Sequence, residues 1–361
     1  MAPRDRPLSV VQVVVTDGFA GVERYVCQVA GELSRRGHQV HTIGGDPERV
    51  GAELPDSVPN RPAGNLVSAA RALVAIRGAD IVHVHMTAAE GAAWLARPLQ
   101  RAPVIATRHF ARERGSSTVA RALAAVTSRA ISCDVAISRF VAETITSPSV
   151  VIPNGVPDRD QAPLVSSTIV MLQRLDEEKA PDVGIRAFAL SGLGDRGWRL
   201  VVAGQGELRQ SLLRRVGELG LTRSVDLVGP VTDTDALLDG TSVLLAPAPL
   251  EPFGLSVVEA MAHGVPVVAA AGGAHLETVG QDGLLFPPGD PQAAATALVR
   301  LGGDPPLRRA VGEALRRRQQ DRFTLIGHVD RLEALYREVA DGIHRPDRDR
   351  LERGSPDGAS G

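Results

Sequence analysis

The sequence predicts an α/β protein built of two Rossmann-like halves, each a doubly wound parallel sheet. Short apolar, β-branched runs bounded by turn residues alternate along the chain with longer segments of helical period, the pattern of sheets assembled from βαβ units. The chain has 361 residues, 43% of them hydrophobic, too many for one ordinary core and comfortable for two of about 150 to 180 residues each. A stretch rich in Pro, Asp and Gly, Pro153–Pro163, separates the runs into two sets and reads as a linker.

In the first half, assigned to residues 1–160, the strand runs are Ser9–Thr16, Gln39–Ile43, Asp80–Val84, Pro103–Thr107, Asp134–Ile137 and Ser149–Ile152. The second half, assigned to residues 161–324, repeats the plan with Thr168–Leu172, Arg199–Ala203, Val225–Val228, Ser242–Ala246, Pro266–Ala270 and Gly283–Phe286. Two such domains facing one another would form a central cleft at their strand C-termini, where ligands of these folds bind. Residues 325–343 have apolar positions at helical spacing and are expected to form a closing helix that crosses back to the first domain. Residues 344–361, charged and containing Gly, Ser and Pro, are expected to be a disordered tail.

Composition narrows the function class. A formal net charge of -2 gives no global electrostatic reason for a nucleic-acid partner, so a small molecule is expected instead. Two cysteines, Cys27 and Cys133, make a disulfide framework improbable and fit a reducing cytoplasm, where both read as buried small hydrophobes. No apolar run approaches the ~18 residues of a membrane span, and the first residues are polar, so neither a transmembrane segment nor a signal peptide is expected. Of the 40 basic residues, Lys179 is the one lysine. A lysine kept against such an arginine bias is a candidate for chemistry that the planar guanidinium cannot perform.

The segment from Glu251 to Gly264 follows a strand of the second half. Pro252 and Gly254 mark a turn, Leu255 to His263 reads as a helix, and Gly264 suits its C-terminal cap. Amides around Gly254 and Leu255 then form an anion site at a helix N-terminus, suited to a diphosphate. Glu259 lies about one turn further in, at ~1.5 Å per residue, and leans back toward that terminus, within reach of a ribose. Glu251, across the turn, can accept hydrogen bonds from sugar hydroxyls. Either glutamate alone is more often an ordinary solvated or helical residue; the whole pattern, after a strand of a second Rossmann half, carries the functional reading.

At this point the sequence resembles glycosyltransferase family 4, whose mark is this Glu-x7-Glu pattern with a Phe253-Gly254-Leu255 turn. Other matching pieces are Ala20-Gly21-Val22-Glu23-Arg24, Val82-His83-Val84-His85, Thr107-Arg108-His109, Val151-Ile152-Pro153-Asn154-Gly155-Val156, Arg174 with Lys179, and the Gly272-Gly273 turn. The resemblance runs from about Val10 to Leu335. It implies the GT-B fold and a retaining enzyme that moves a hexose or amino-hexose from a nucleotide diphosphate sugar, most commonly a UDP-sugar, to an acceptor hydroxyl.

The resemblance also distributes roles. It gives Arg174 and Lys179 the neutralisation of charge on the departing nucleotide, which physics favours because fixed cations there stabilise the transition state more than the ground state. It puts His109 in contact with the donor sugar near the reacting centre, Glu251 on the sugar as well, and Gly21, Phe253, Gly254, Leu255 and Glu259 on the donor. The loop from Thr16 to Val22 lines the cleft, with Gly21 allowing close backbone approach and Asp17 and Glu23 offered to the acceptor. Neither a metal nor another cofactor is expected. The acceptor is read as a small polar molecule in natural-product or envelope-glycan assembly, with a lipid acceptor at a membrane surface as the alternative, since the arginines between Arg108 and Arg129 could face lipid headgroups. Rivals from other classes are an NAD-dependent oxidoreductase and a non-catalytic nucleotide-sugar-binding protein.

Three look-alikes carry little. Asp233-Thr234-Asp235 imitates a metal-binding Asp-x-Asp but opens a helix where Asp233 is a natural N-cap. His83 and His85 lack a third ligand nearby for zinc. Gly204-Gln205-Gly206-Glu207 lacks the full dinucleotide fingerprint and follows the second strand of its half. The chain also departs from the family pattern: Gln173 stands where a glycine normally precedes the arginine, Ala20 replaces one of two glycines, and Glu277 lies one residue further from Gly273 than is typical.

Overall fold

A computed structural model describes residues 6–111, 124–145 and 147–343. They fall into two compact units: one comprises the described residues up to Ile137, those of Val141–Ile152 and those from Val329 to Ile343, the other Ser138–Phe140 and Pro153–His328.

The first unit holds a seven-stranded parallel sheet in the order β3-β2-β1-β4-β5-β6-β7. Its strands are β1 Ser9–Val14, β2 Gln39–Ile43, β3 Asn60–Arg61, β4 Ile81–His85, β5 Val104–Arg108, β6 Ile131–Ala136 and β7 Ser149–Val151. The second holds a six-stranded parallel sheet in the order β10-β9-β8-β11-β12-β13, with β8 Thr168–Leu172, β9 Arg199–Ala203, β10 Val225–Gly229, β11 Val243–Ala246, β12 Val267–Ala270 and β13 Leu284–Phe286. Both are doubly wound α/β sheets, as the sequence predicts. In each, the order reverses beside the first strand, between β1 and β4 and between β8 and β11, and ligand crevices of such sheets open beyond the strand C-termini at that reversal.

The central strands are near-continuous apolar runs because helices cover both faces. Ile169, Met171, Leu200, Val202, Val243, Leu245 and Val268 share one core with Phe188 and Leu298 of the flanking helices. In the first unit Val11, Val13, Val82, Val84, Val104 and Ala106 do the same with Leu73 and Ala92. One strand escapes the sequence: β3, at a sheet edge, has two residues, both polar, and no apolar run marks it. Another is longer than expected, because β6 starts at Ile131 and carries Asp134 into the interior, where Asp134 accepts from Arg108 and from the Ser147 hydroxyl.

Cys27 and Cys133 are free and buried, and burial, the largest influence on each, pushes both thiols up to about 12. No helix among the described residues is long and apolar enough to cross a membrane. The helix Leu325–Ala340 ends among the residues of the first unit, with Tyr336 fully buried there. The expected tail, 344–361, and the arginines Arg112, Arg114 and Arg121 lie outside the described residues.

Glycine spacing in the second unit sets how closely its elements dock. A side chain at Gly312, within the helix Pro305–Arg322, would place its Cβ 2.0 Å from the Gly264 carbonyl oxygen, whereas at Gly217 in the helix Arg209–Glu218 it would meet nothing within 4 Å. Alanine is the better helix former by ~1 kcal/mol. Gly217→Ala is therefore expected to raise the melting temperature and Gly312→Ala to lower it, since overpacking costs roughly 1–3 kcal/mol and outweighs the propensity gain. Parallel thermal melts of the two variants check the contrast.

Candidate functional site

The loops that follow β8, β11 and β12 come together at the reversal point of the second sheet. After β11 the chain reaches Glu251, which forms a lone parallel bridge to Gly273, with the Ala274 amide donating to the Glu251 carbonyl at 2.7 Å. This docking requires both glycines of the following loop. A Cβ at Gly272 would fall 1.9 Å from the Pro249 oxygen, and one at Gly273, φ +56, would fall 2.5 Å from the Glu251 oxygen. The Gly272-Gly273 turn thus fixes the backbone that presents Glu251.

Gly254 caps the helix Leu255–Ala262 in the left-handed region, φ 83 and ψ 61, where a side chain would be strained. The first amides of any helix have no partner within it, so those after Gly254 point out of the terminus and favour an anion. Phe253 is buried and packs edge-on against Phe323, ring centroids 5.8 Å apart. Its ring anchors the turn in the core, and what it can offer a ligand is backbone. Leu255 and Glu259 are half-buried on the first two turns.

The loop after β8 supplies the cations. It is braced from below by Gly204-Gln205-Gly206: the Leu175 amide donates to the Gln205 carbonyl at 2.9 Å, and a Cβ at Gly204, φ +138, would stand 1.9 Å from the Gln173 oxygen. The dinucleotide look-alike is thus a scaffold for this loop. Gln173, in the place of the family's glycine, uses its side-chain amide to donate to the Lys179 carbonyl at 3.0 Å, and Ala180 follows at φ 45 before Pro181. Lys179 Nζ then donates to Glu251 Oε2 at 2.7 Å, with side chains 16% and 14% exposed. Arg174 is half-exposed and ion-paired with Asp176 and Glu178 of its own loop. Exposed pairs of that kind contribute little, ~0–1 kcal/mol, so their carboxylates are readily exchanged for other anions.

Sequence reasoning missed His275. It is buried, its Nδ1–H donates to the Ala270 carbonyl at 3.0 Å, and Nε2 is therefore the lone-pair nitrogen. That nitrogen has no hydrogen-bond partner among the described residues and lies 3.4 Å from where a Cβ on Gly254 would sit. Burial, the largest influence, holds the imidazole below its ordinary pKa; Glu251 pulls it up and Lys179 adds to the depression. His275 opens the short helix His275–Thr278 that directly follows the Gly272-Gly273 turn, so its closeness in sequence to that turn is the signal that could have found it. Glu277 itself accepts from the amides of Arg139 and Phe140, at 2.9 and 2.8 Å.

In the first unit His109 follows β5, is buried, and shares a hydrogen bond of 3.0 Å with His85. Arg108 is buried between Glu90 and Asp134, not turned outward as a lipid-facing arginine would be. Glu23 is buried too, and its carboxylate accepts from the Ala20 amide at 2.7 Å at the start of the helix Gly21–Arg35. That bond commits the residue offered to an acceptor to capping, as in a capping box. Asp17 is exposed, its carboxylate lying against Gly64 so closely that a Cβ there would fall 1.9 Å away. Gly21 is exposed at the first position of its helix. Asp233 caps its helix through the Ala236 amide, 2.9 Å. The described residues contain no cluster of three or more His, Cys, Asp or Glu able to hold a metal ion.

Residues 19–160 match the family described as Glycosyltransferase Family 4, and residues 159–318 that described as Glycosyl transferases group 1. An exopolysaccharide phosphotransferase of Streptomyces coelicolor is 39% identical over 168 residues, which is 45% of this chain and 18% of that protein. A phosphatidyl-myo-inositol mannosyltransferase of Mycobacterium leprae is 29% identical over 345 residues, 82% of this chain and 88% of that protein. The crystal structure of Anabaena HepE in complex with UDP and glucose shares the fold, with TM-score 0.77, 19% identity, and coverage of 91% of this chain and 99% of that one. Two Rossmann-like units, one carrying a lysine, a glutamate pair and a glycine-capped helix at its reversal point, define the GT-B class of glycosyltransferases. The chain belongs to glycosyltransferase family 4.

The depressed His275 imidazole has a stability consequence. An unfolded histidine takes a proton near pH ~6.5, while the folded one resists until lower pH, so below that point the unfolded state binds more protons and stability falls. Melting temperature is expected to drop between about pH 7.5 and 5.5, and to drop less in His275→Gln; identical slopes in calorimetric scans would exclude His275 as a source.

Proposed function

We propose that the protein is a retaining, metal-independent glycosyltransferase that moves a hexose or amino-hexose from a nucleoside diphosphate sugar to an acceptor hydroxyl. The observation that carries this reading is the Lys179–Glu251 pair at 2.7 Å beside the left-handed Gly254 turn. It puts a compact cation, a carboxylate and a helix N-terminus within one small region of the second unit. On this reading the diphosphate lies on the amides after Gly254, Glu259 holds the ribose, and Glu251 accepts from sugar hydroxyls. Lys179 and Arg174 stabilise the charge that grows on the leaving phosphate as the glycosidic bond breaks, which lowers the barrier because the gain is larger in the transition state.

Retention is proposed to follow a front-face route. The bond from the anomeric carbon to the phosphate oxygen breaks, the acceptor oxygen bonds to the same face, and the departing phosphate takes the acceptor's proton. His109, neutral, is proposed for the hydrogen bonding of the sugar near the reacting carbon. UDP is the proposed donor nucleotide, in line with the nucleotide held by the structurally similar HepE. For the acceptor a small polar molecule is proposed, with a lipid headgroup as the second reading, which the name of the Mycobacterium leprae relative, a phosphatidyl-myo-inositol mannosyltransferase, supports.

Thermal shift against nucleotide sugars, UDP, GDP and NAD tests the donor: a true donor raises the melting temperature by mass action, by ~2.7 kcal/mol of stability at a hundredfold excess over Kd. A response to NAD alone would replace this reading with an oxidoreductase. Lys179→Ala is expected to lower kcat by about 100- to 1,000-fold with the fold intact, and Lys179→Arg is not expected to restore it, because the guanidinium differs in shape and hydration. Anomeric NMR of the product from an α-linked donor is expected to show an α linkage; a β linkage, or loss of transfer on chelation, overturns retention or metal independence respectively.

A further inference from the structure

Seven polar side chains of the first unit form one buried, directed hydrogen-bond chain that ends on His109. Gln12 on β1 and His83 on β4 are register partners, as are His85 on β4 and Thr107 on β5, so the period of two puts all four on one face of adjacent strands. Each is at most 2% exposed, as are Tyr336 and Tyr25. So many polar groups buried together cost several kcal/mol apiece unless hydrogen-bonded. Here each is bonded: Gln12 Nε2 to the Tyr336 hydroxyl at 3.1 Å, that hydroxyl with His83 Nδ1 at 2.6 Å, and His83 Nε2 with Thr107 Oγ1 at 2.7 Å. In the other direction, Gln12 Oε1 meets His85 Nε2 at 2.8 Å, and His85 Nδ1 meets His109 Nε2 at 3.0 Å.

The donors and acceptors run in one direction. A tyrosine hydroxyl has one proton, and burial, the largest influence on both Tyr336 and Tyr25, raises their pKa so that they keep it. Since Tyr336 accepts from the Gln12 amide, its own proton goes to His83 Nδ1, and His83 donates from Nε2 to Thr107, which in turn hydrogen-bonds Tyr25. The same amide orientation turns Gln12 Oε1 toward His85, which must carry its proton on Nε2. His85 Nδ1 is then an acceptor, and the proton of the bond to His109 sits on His109 Nε2. The Tyr25 ring braces both imidazoles edge-on, with centroids 5.7 Å from His85 and 5.3 Å from His109.

We infer that Gln12, His85 and Tyr336 are positioning residues that hold His109 in the Nε2–H tautomer, with its lone pair on Nδ1, so that it accepts a hydrogen bond from a sugar hydroxyl. The inference rests on the proposed place of His109 beside the donor sugar. It makes a residue of the last helix a determinant of the chemistry of a side chain at the end of β5, through two intervening groups and without contact with substrate.

Long-range proton–nitrogen NMR of the full chain labelled at histidine reads the tautomer directly, with the His109 signal assigned by its loss in His109→Gln. The wild type is expected to show His109 protonated on Nε2. Tyr336→Phe, which removes the group that orients the Gln12 amide, is expected to mix or invert that tautomer and to lower kcat by about 10- to 100-fold, as remote misplacement of a reacting group does, with the donor KM unchanged. Gln12→Met, near in size but unable to bond, is expected to do the same should Tyr336→Phe fail to fold. A wild-type His109 protonated on Nδ1, or a tautomer that Tyr336→Phe and Gln12→Met leave untouched, overturns the inference. A tautomer that moves while kcat stays constant upholds the relay and overturns the placement of His109 in the reaction.

Discussion

The second unit is organised around one ion pair, Lys179 to Glu251 at 2.7 Å, which ties the loop after β8 to the loop after β11 across the reversal point of the sheet. Much of the nearby backbone is shaped to allow it. Gly204 and Gly206 let the Gln173–Leu175 segment settle onto the loop after β9, and Gln173 binds the Lys179 carbonyl. Gly272 and Gly273 let the loop after β12 approach the main chain of Glu251. These glycines are needed because backbone oxygens stand where a Cβ would be. The two side chains are mostly shielded from solvent, so their attraction is less screened than that of the half-exposed Arg174 and its carboxylates.

The fold was legible because burial on both faces writes parallel strands as apolar runs, and most of the runs lie within a residue or two of the strands they predict. Thr168–Leu172 and Arg199–Ala203 coincide with β8 and β9. What escaped is what that signal cannot carry: β3 is too short and polar, and the first half of β6 precedes a charged residue whose burial depends on Arg108, distant in sequence. In the site, the turn at Gly254 was legible because glycine with a left-handed φ at a helix start is a local property. The partners of the predicted side chains were not. That Glu23 caps its own helix and Phe253 rests on Phe323 follows from three-dimensional packing, which spacing alone does not encode.

The first unit shows the same limit from the other side. The alternation of His83 and His85 in an otherwise apolar strand was visible, and zinc was set aside for want of a third ligand. What those histidines bind instead comes from elsewhere in the unit: Gln12 of β1, Thr107 of β5, His109 just after it and Tyr336 of the last helix. In these two imidazoles both ring nitrogens are hydrogen-bonded, and a chain of such groups propagates the choice made at one end. Under the proposed reading this chain serves orientation: it fixes which nitrogen of His109 carries the proton.

The candidate donor site pairs its own charges, and this bears on selectivity under the proposed reading. Lys179 is held by Glu251, and Arg174 by Asp176 and Glu178, so an anion that takes a cation must leave a carboxylate behind. Inorganic phosphate satisfies the cation and strands Glu251 in a mostly shielded position, where an unpaired charge is costly. A free sugar offers hydroxyls to Glu251 but nothing to Lys179. Only a ligand with both parts, an anionic diphosphate and a neighbouring sugar, re-partners both members at once. The pair therefore couples recognition of the two halves of the donor: what the site loses in raw affinity by starting paired, it gains as discrimination against either half alone.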